Sequence, residues 1–201
     1  SSVLYDDEGK EILRLHGAED RTWVSLDTLP DHLLYAFISA EDARFYDHEG
    51  VDIIRIAGAI LADIKAGGYV QGASTISQQL IKLSHLPSEK TISRKAEEAV
   101  LAYQMERRCT KQDILEMYLN YVYFGGGYYG IEAASMGYFG IHASELSLSQ
   151  SAMLAGILKS PGSYAPHLDY KASIERRNTI LALMNRYGYI SADEMARASA
   201  E

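Results

Sequence analysis

The chain has 201 residues, of which 47% are apolar and 23% are charged, and this balance excludes an intrinsically disordered protein. Its formal net charge of −8 argues against a general nucleic-acid-binding protein, which would carry a dominant basic face. A single cysteine, Cys109, excludes an internal disulfide and a thiolate metal cage. No run approaches the ~20 apolar residues of a membrane span, and no signal peptide is visible. Because the chain opens on Ser1 instead of methionine, we expect a piece of a longer protein.

The predicted elements start with a β-hairpin and continue as helices. Residues 3–16 hold two short apolar runs around an Asp/Glu/Gly turn, which is typical of a hairpin. Pro30 suits the first position of a helix that is capped by Thr28 and runs over 31–42. By periodicity, caps and glycine stops, we expect further helices at 51–66, from 74–75, after 87–88, and at 111–122, 130–139, 147–158, 170–187 and 191–199. The fold class is therefore mainly α.

The first helix carries a carboxylate on its apolar side. Leu33, Leu34, Phe37 and Ile38 form one stripe by their spacing, and Glu41 is the next residue on that stripe. A partly desolvated carboxylate accepts a proton more strongly than an exposed one, which suits a general acid or base. The alternative is that Glu41 only caps or pairs near the helix end.

Two neighbours of this carboxylate, Asp42 and His48, could also belong to a site. Taken alone, neither is specific, because a single histidine is more often a hydrogen-bonded structural residue than a catalyst. Their density around an aromatic pair in residues 38–50 is what draws attention to the segment.

A glycine turn precedes the predicted third helix. In residues 71–82, Thr75 and Gln78 have capping-box spacing, which an ordinary helix start would also show. Free N–H groups at a helix N-terminus favour phosphate, so the turn is also a candidate anion site.

A local group of cations follows the turn: Lys82, Lys90, Arg94 and Lys95. Arg94 and Glu98 have i,i+4 spacing, so an exposed ion pair of ~0.3–0.5 kcal/mol would explain them without any function. In an acidic chain, four cations close to a glycine turn indicate a diphosphate ligand.

These segments occur together, and in this order, in one known family. The matching residues are Glu41, Asp42, Phe45, His48 and Gly50; then Gly72, Ser74, Thr75, Gln78, Gln79 and Lys82; then Arg94, Lys95 and Glu98; then Glu116, Tyr118 and Asn120; and a helical stretch at 148–161. The chain resembles the peptidoglycan glycosyltransferase domain (family 51 transglycosylase) of class A penicillin-binding proteins and monofunctional peptidoglycan glycosyltransferases. Five motifs in the expected order make coincidence an inadequate explanation.

The resemblance implies a mainly α, lysozyme-like, two-lobed helical domain with a short N-terminal β-hairpin. Residues 1–28 would be the hairpin and a linker, and residues 29–201 the glycosyltransferase domain. Within that domain, about 51–70 would form a membrane-proximal lobe.

The resemblance also implies a reaction, the polymerisation of lipid II into β-1,4-linked glycan strands, with inversion and release of undecaprenyl diphosphate. Glu41 and Glu98 would be the catalytic carboxylates. Substrate binding is expected from Asp42, Phe45, His48, Arg55, Gly72, Ser74, Thr75, Gln78, Gln79, Lys82, Lys90, Arg94, Lys95 and Asn120.

The chain departs from the family pattern at three positions. Leu83 stands where the second motif usually continues with asparagine, and Gly58 stands where an arginine is common. Arg55, one turn earlier on the same helix face, is a candidate substitute for that arginine. Lys90 replaces another frequent arginine, which keeps the charge but loses the bidentate geometry.

We expect no tightly bound cofactor and no metal held by the protein, although Mg²⁺ or Mn²⁺ could accompany the substrate diphosphate. The expected partners are lipid II, the growing glycan strand, the membrane surface, a fused C-terminal transpeptidase domain and other cell-wall synthesis proteins, but not nucleic acid. The expected location is the extracytoplasmic face of the cell membrane, with an anchor upstream of Ser1.

The helix at 51–66 has two interpretations. It is apolar almost all round, which is typical of a core helix. The resemblance favours shallow insertion into the bilayer, where the polyprenyl tail of the substrate resides.

Two rival functions remain open at this stage. A lysozyme-like hydrolase would also use a helix-borne glutamate on glycan chains, but it would not need the cations. A silent membrane or scaffold module is suggested by Gly58.

Overall fold

A computed structural model describes residues 2–5, 11–15, 22–67, 72–85 and 92–201. Helices dominate these ranges, so the mainly α fold class is confirmed. In chain order the helices are α1 (Asp31–Glu41), α2 (Ile53–Ala66), α3 (Ile76–His85), α4 (Ile92–Glu106), α5 (Lys111–Tyr121), α6 (Ile131–Phe139), α7 (Leu148–Ile157), α8 (Pro161–Tyr164), α9 (Tyr170–Arg186) and α10 (Ala192–Ala200). Among the described residues, no helix combines the length and the apolar character needed to cross a bilayer.

The N-terminal hairpin is present. Strands β1 (Ser2–Tyr5) and β2 (Glu11–Leu15) are antiparallel, with Ser2 opposite Leu15 and an irregular register between Leu4 and Tyr5. The turn of the hairpin and Lys90 lie outside the described residues.

The start of α1 differs from its prediction. The Thr28 hydroxyl donates to the Ser25 carbonyl oxygen at 2.7 Å, which closes a 3-10 turn over Leu26–Thr28, and Pro30 is the N-cap of α1. Thr28 is therefore not the cap, because its side chain is engaged one turn earlier. Helix α8 was not expected either, although Pro161 at its first position is a standard start signal.

The chain divides into two compact units, in agreement with two lobes. Unit 1 comprises Ser1–Ala18 and Arg44–Leu115, and unit 2 comprises Glu19–Ala43 and Glu116–Glu201. Helix α5 contributes residues to both. The expected boundary between residues 28 and 29 stays a prediction.

Helix α7 forms the centre of unit 2. Its start is fixed by a capping box, in which the Gln150 N–H donates to Ser147 Oγ at 3.3 Å and the Ser147 N–H donates to Gln150 Oε1 at 2.8 Å. Ser149 and every residue from Ser151 to Ile157 are buried. Helices α1 and α9 pack on α7 and on each other, and α10 packs on α9. A helix that is apolar on all sides is thus enclosed by its neighbours.

In unit 1, α3 packs on α4. Ile76, Leu80 and Ile81 form the buried stripe of α3, and Ala102 and Met105 are buried on α4. Their spacings of three, four and five residues place each set on one helix face.

Helix α2 is largely exposed. Ala59 is the one buried residue among its described side chains. The core interpretation of this helix is therefore wrong, because its large apolar side chains face outward. These exposed side chains are Ile53, Ile54, Ile60, Leu61 and Ile64.

A buried carboxylate of α6 holds the turn that follows this helix. Glu132 lies 2.6 Å from Nδ1 of His142 and also accepts the Ala143 N–H at 2.9 Å. The hydrogen bond and the negative charge of Glu132 raise the pKa of His142. The charged pair should therefore stabilise the fold at acidic pH.

We predict that His142→Gln loses stability in a pH-dependent manner. A histidine whose pKa is raised on folding stabilises the protein fully below its unfolded pKa of ~6.5, and this contribution disappears as the pH rises through the folded pKa. The difference in unfolding free energy between wild type and variant should shrink from acidic to alkaline pH. Denaturant titrations at several pH values would measure it, and a constant difference would contradict the prediction.

Candidate active site

Glu41, the predicted base, is the last residue of α1. Leu33, Phe37 and Ile38 are fully buried and fix the rotation of the helix, so the Glu41 side chain lies half-buried at its end. Asp42 follows as the C-cap, donates its N–H to the Ile38 carbonyl oxygen at 2.9 Å and is completely buried. The stripe therefore predicted the position of Glu41 within unit 2 correctly.

Tyr118 of α5 lies within electrostatic reach of both carboxylates. It is completely buried in unit 2, and its pKa is held well above the ordinary range of tyrosine by burial and by the negative charges of Glu41 and Asp42. Its hydroxyl is therefore protonated at neutral pH, and a buried phenol of this kind acts as a hydrogen-bond donor.

Asn120 has a supporting role in unit 2. Its Nδ2 donates to the Val24 carbonyl oxygen and its Oδ1 accepts the Val24 N–H, both at 2.9 Å. Glu116, one turn earlier, accepts from Trp23 Nε1 at 3.0 Å and from the Leu26 N–H at 2.8 Å. These bonds hold the segment that leads into α1. The Asn120 amide is thus engaged within the chain and almost fully buried, and the substrate contact expected of it stays a prediction.

The loop of unit 1 that carries Phe45, His48 and Gly50 contacts a buried polar network, whose centre is Glu106 at the end of α4. Glu106 accepts from the Ser77 hydroxyl, pairs with Lys111 Nζ at 2.6 Å, and lies 3.8 Å from His48 Nδ1. Lys111 also sits 4.5 Å from the ring centroid of Phe45, which is completely buried. Phe45 and His48 are thus parts of the interior of unit 1 and stabilise this loop.

The same loop makes a close backbone contact at Gly50. Gly50 has a φ of +83°, and a Cβ there would lie 2.6 Å from the Tyr103 nitrogen and 2.7 Å from the Ala102 carbonyl carbon. The Thr75 hydroxyl donates to the Gly50 carbonyl oxygen at 2.6 Å. Glycine is therefore required for the loop to reach both α4 and the segment before α3.

The predicted capping box at the start of α3 is present. The Thr75 N–H donates to Gln78 Oε1 and the Gln78 N–H donates to Thr75 Oγ1, both at 3.1 Å. Both side chains are buried, Gln79 is half-buried and Lys82 is exposed. The box accounts for Thr75 and Gln78 by local structure and leaves Lys82 accessible to a ligand.

On α4, Arg94 and Lys95 lie beside the buried carboxylate of Glu98. Glu98 is almost fully buried, forms a short ion pair with Lys95, and lies 3.9 Å from the Arg94 guanidinium. Lys95 Nζ also donates to Ser74 Oγ at 2.7 Å. The exposed-pair alternative for Arg94 and Glu98 is wrong, because the carboxylate is inside. Lys95 connects this pair to the glycine turn.

The glycine turn receives a second cation from α2. Arg55 directs Nη2 to the Gly72 carbonyl oxygen at 3.3 Å and Nη1 to the Ser74 carbonyl oxygen at 3.5 Å. Gly58, one turn later, has nothing within 4 Å of an added Cβ. Arg55 therefore holds the turn in place. At position 58, where the family commonly has an arginine, there is open space for a side chain. No cluster of three His, Cys, Asp or Glu side chains suited to a metal occurs among the described residues.

Comparison with known proteins decides the family. A family model described as Transglycosylase matches residues 8–185, which is most of the chain. The chain belongs to the transglycosylase family.

Relatives of this transglycosylase include much longer proteins. It is 46% identical over 199 residues to penicillin-binding protein 1A/1B of Bacillus subtilis, covering 98% of this chain and 22% of that protein. It is 44% identical to penicillin-binding protein 1A of Streptococcus oralis, covering 98% and 31% respectively. The crystal structure of penicillin-binding protein 1A from Haemophilus influenzae matches with a TM-score of 0.55 and 26% identity, covering 98% of this chain and 20% of that one. The transglycosylase thus spans less than a third of the length of these proteins.

The structure of the transglycosylase connects part of the predicted site directly. One continuous set of contacts in unit 1 contains Arg55, Gly72, Ser74, Arg94, Lys95 and Glu98. In unit 2, Glu41 and Asp42 share the electrostatic environment of Tyr118. Sequence reasoning did not single out Glu106, although it continues the i, i+4 stripe from Glu98 through Ala102, and that stripe could have indicated it.

Proposed function

We propose that this transglycosylase domain polymerises lipid II into β-1,4-linked glycan strands with inversion at the anomeric carbon and release of undecaprenyl diphosphate. The observation that supports this best is the pair of cations around buried Glu98, joined through Lys95 to the glycine turn. A glycan hydrolase has no charged leaving group and no need for such a group. A donor activated by diphosphate requires cations where negative charge develops.

Glu41 is the proposed general base. It takes the proton of the acceptor's 4-hydroxyl as that oxygen forms a bond to C1 of the donor muramoyl unit, and the bond from C1 to the diphosphate oxygen breaks. A sugar hydroxyl is a weak nucleophile at neutral pH, so removal of its proton accelerates the step by ~10²–10⁴. Attack from the face opposite an α-linked diphosphate gives a β product. The neutral Tyr118 hydroxyl can orient the carboxylate without competing for the proton.

The diphosphate leaves with both electrons of the broken bond, so its negative charge grows in the transition state. Cations already in place lower this barrier more than they stabilise the bound substrate. We assign this role to Lys82, Lys90, Arg94 and Lys95. Glu98 would hold Arg94 and Lys95 in position, and Mg²⁺ or Mn²⁺ could arrive with the diphosphate.

The exposed apolar side of α2 is the proposed membrane contact. Ile53, Ile60 and Ile64 are more than half exposed, which is unfavourable in water and favourable at the boundary of a bilayer. Lipid II carries its polyprenyl tail in the bilayer, so this contact would bring the sugars to the enzyme. The location is then the extracytoplasmic face of the cell membrane. A transpeptidase domain in the same protein is a further proposal, supported by the names and lengths of the relatives.

Incubation with purified lipid II tests this function. Formation of polymer together with release of undecaprenyl diphosphate is expected. Cleavage of finished glycan without polymer would instead support the hydrolase, and neither activity would support a scaffold module.

We predict that Gly58→Arg raises the catalytic efficiency with lipid II. The added guanidinium would stand one turn from Arg55 in open space and could contact the diphosphate, an effect of roughly 3- to 10-fold for one charge-assisted contact. Gly58→Ala is the matched control and should leave kcat/KM unchanged. Equal kcat/KM for Gly58→Arg and Gly58→Ala would show that position 58 is remote from the diphosphate.

A further inference from the structure

Helix α2 has two sides of opposite character. Successive residues of an α-helix are rotated by ~100°, so Arg55 and Ala59, one turn apart, lie on the same side. Ala59 is buried and Arg55 is half-buried. Ile53, Ile60 and Ile64 lie on the opposite side and are 75%, 53% and 72% exposed. The apolar side of α2 therefore points away from the protein whenever Arg55 points towards it.

Beyond its first turn, α2 is attached to unit 1 by few contacts. At the start of the helix, Asp52 accepts the Arg55 N–H at 2.9 Å and pairs with Arg44 at 3.2 Å. Along the helix itself, Ala59 is the one buried residue among the described side chains, and no other helix of the described ranges packs extensively on α2. Little apolar burial therefore fixes which side of α2 faces the protein.

Water and a lipid surface favour different arrangements of this helix. In water, exposed isoleucines are unfavourable, so any arrangement that turns Ile53, Ile60 or Ile64 towards the protein competes with the one in the structure. Such an arrangement withdraws Arg55 from the protein, because Arg55 lies on the opposite side of the helix. A lipid surface stabilises the observed arrangement, since it covers the isoleucines where they are. The populations of the two arrangements thus depend on whether a surface is present.

Arg55 connects α2 to the glycine turn. Its guanidinium donates to the carbonyl oxygens of Gly72 and Ser74, at 3.3 and 3.5 Å. The hydroxyl of Ser74 in turn accepts from Lys95 Nζ at 2.7 Å, and Lys95 pairs with buried Glu98. A continuous series of polar contacts therefore runs from α2 to one of the cations assigned to the diphosphate.

We propose that Arg55 is a positioning residue through which a lipid surface tightens the diphosphate site. A surface that holds the apolar side of α2 keeps the Arg55 guanidinium on the Gly72 and Ser74 carbonyl oxygens, and Ser74 then holds the Lys95 ammonium in place. The site binds diphosphate more tightly at a membrane than in free solution. This coupling rests on the proposed membrane contact of α2, and it adds the effect of that contact on the diphosphate site.

Isothermal titration calorimetry with inorganic pyrophosphate, with and without phosphatidylcholine vesicles, tests the coupling. Phosphatidylcholine carries no net charge, so the vesicles themselves do not attract pyrophosphate. We expect pyrophosphate to bind about 5-fold more tightly with vesicles, at the lower end of the usual range for coupled sites. Linkage also requires the converse, so pyrophosphate should strengthen vesicle binding by the same factor in a co-sedimentation assay. Equal affinity for pyrophosphate in both conditions, with vesicle binding demonstrated, would overturn the coupling.

Variants of Arg55 separate this coupling from a merely structural role. Arg55→Ala should bind pyrophosphate with the same affinity with and without vesicles, whereas Arg55→Lys, which keeps a charged donor, should retain part of the vesicle effect. Arg107→Ala is the matched control, because it removes an exposed arginine of α4 whose guanidinium donates to the Tyr103 hydroxyl at 3.4 Å. It should keep the vesicle effect. A full vesicle effect in Arg55→Ala would overturn the role of Arg55.

The double variant Ile60→Gln and Ile64→Gln tests the coupling from the other side of the helix. Both side chains are exposed, so their replacement leaves the core of unit 1 intact. Because glutamine does not favour the competing arrangement in water, this variant should bind pyrophosphate more tightly than wild type without vesicles, and vesicles should add nothing further. Wild-type affinity without vesicles would show that water does not displace Arg55 from the turn, and would overturn the proposal.

The outcome is separable from that of the polymerase assay. Pyrophosphate binding that responds to vesicles, without polymerisation of lipid II, would refute the proposed function alone. Polymerisation with no effect of vesicles on pyrophosphate affinity would refute the coupling alone. Absence of vesicle binding would refute the membrane contact and the coupling with it, and absence of pyrophosphate binding in both conditions would also refute the coupling.

Discussion

Glu41→Gln is expected to reduce glycan polymerisation by ~10²–10⁴ in kcat while leaving the fold intact, because the amide cannot accept the proton of the attacking hydroxyl. Glutamine has almost the same shape as glutamate, so it fits the half-buried end of α1. The glutamine amide oxygen keeps the ability to accept a hydrogen bond. Only the transferred proton is lost, so KM should change much less than kcat.

Initial rates of lipid II polymerisation, with release of diphosphate lipid measured in parallel, give the effect. Glu49→Gln is the matched control: it neutralises an exposed carboxylate in the same segment and should retain wild-type activity. Circular dichroism of both variants would confirm the native helix content. Polymerisation by Glu41→Gln at the wild-type rate would remove Glu41 as the base.

Gly50→Ala should destabilise the protein by about 3 kcal/mol or more. The added methyl would meet backbone atoms of α4 at 2.6–2.8 Å, and these cannot rotate away as a side chain could. The φ of +83° adds strain of its own for any residue with a Cβ. The loop would have to leave α4, and the Thr75 hydrogen bond to the Gly50 carbonyl oxygen would be lost with it.

Denaturant unfolding followed by circular dichroism measures this loss. Gly58→Ala serves as the control, because position 58 lies in α2 with open space around it. There the methyl should stabilise the helix, by up to ~1 kcal/mol. If Gly50→Ala unfolds at the wild-type denaturant concentration, the close approach of the loop to α4 is incorrect.

Local sequence signals predicted most helices, since periodicity, caps and glycine stops act within a few residues. The capping boxes at Thr75 and Ser147 show this, because both members of each pair lie in one turn. The apolar pattern of α2 predicted a helix but left two interpretations open, because such a pattern does not reveal what covers it. Only coordinates show that Ile53 and Ile64 remain exposed.

The candidate site was harder to predict, because long-range contacts assign its roles. The motif identified Asn120, but not that its amide is used by Val24, which is distant in sequence. Glu98 looked like one half of a surface pair, and its burial depends on the packing of α4. Phe45 likewise matched the motif and proved to be interior. A motif therefore marks where a residue matters, whereas the fold decides whether it contacts the ligand or supports a neighbour.

The enclosure of α7 has a consequence for how Glu41, the proposed base, moves. Opening α7 to solvent requires disruption of α1 and α9 together, so its amide hydrogens should exchange only when unit 2 unfolds globally. Helix α10, with Ala198 as its one buried residue, can fray at much lower free energy. Glu41 is the last residue of α1, and α1 packs on α7, the helix whose amide hydrogens should exchange most slowly. Thermal fluctuations that loosen the periphery should therefore leave this carboxylate in place.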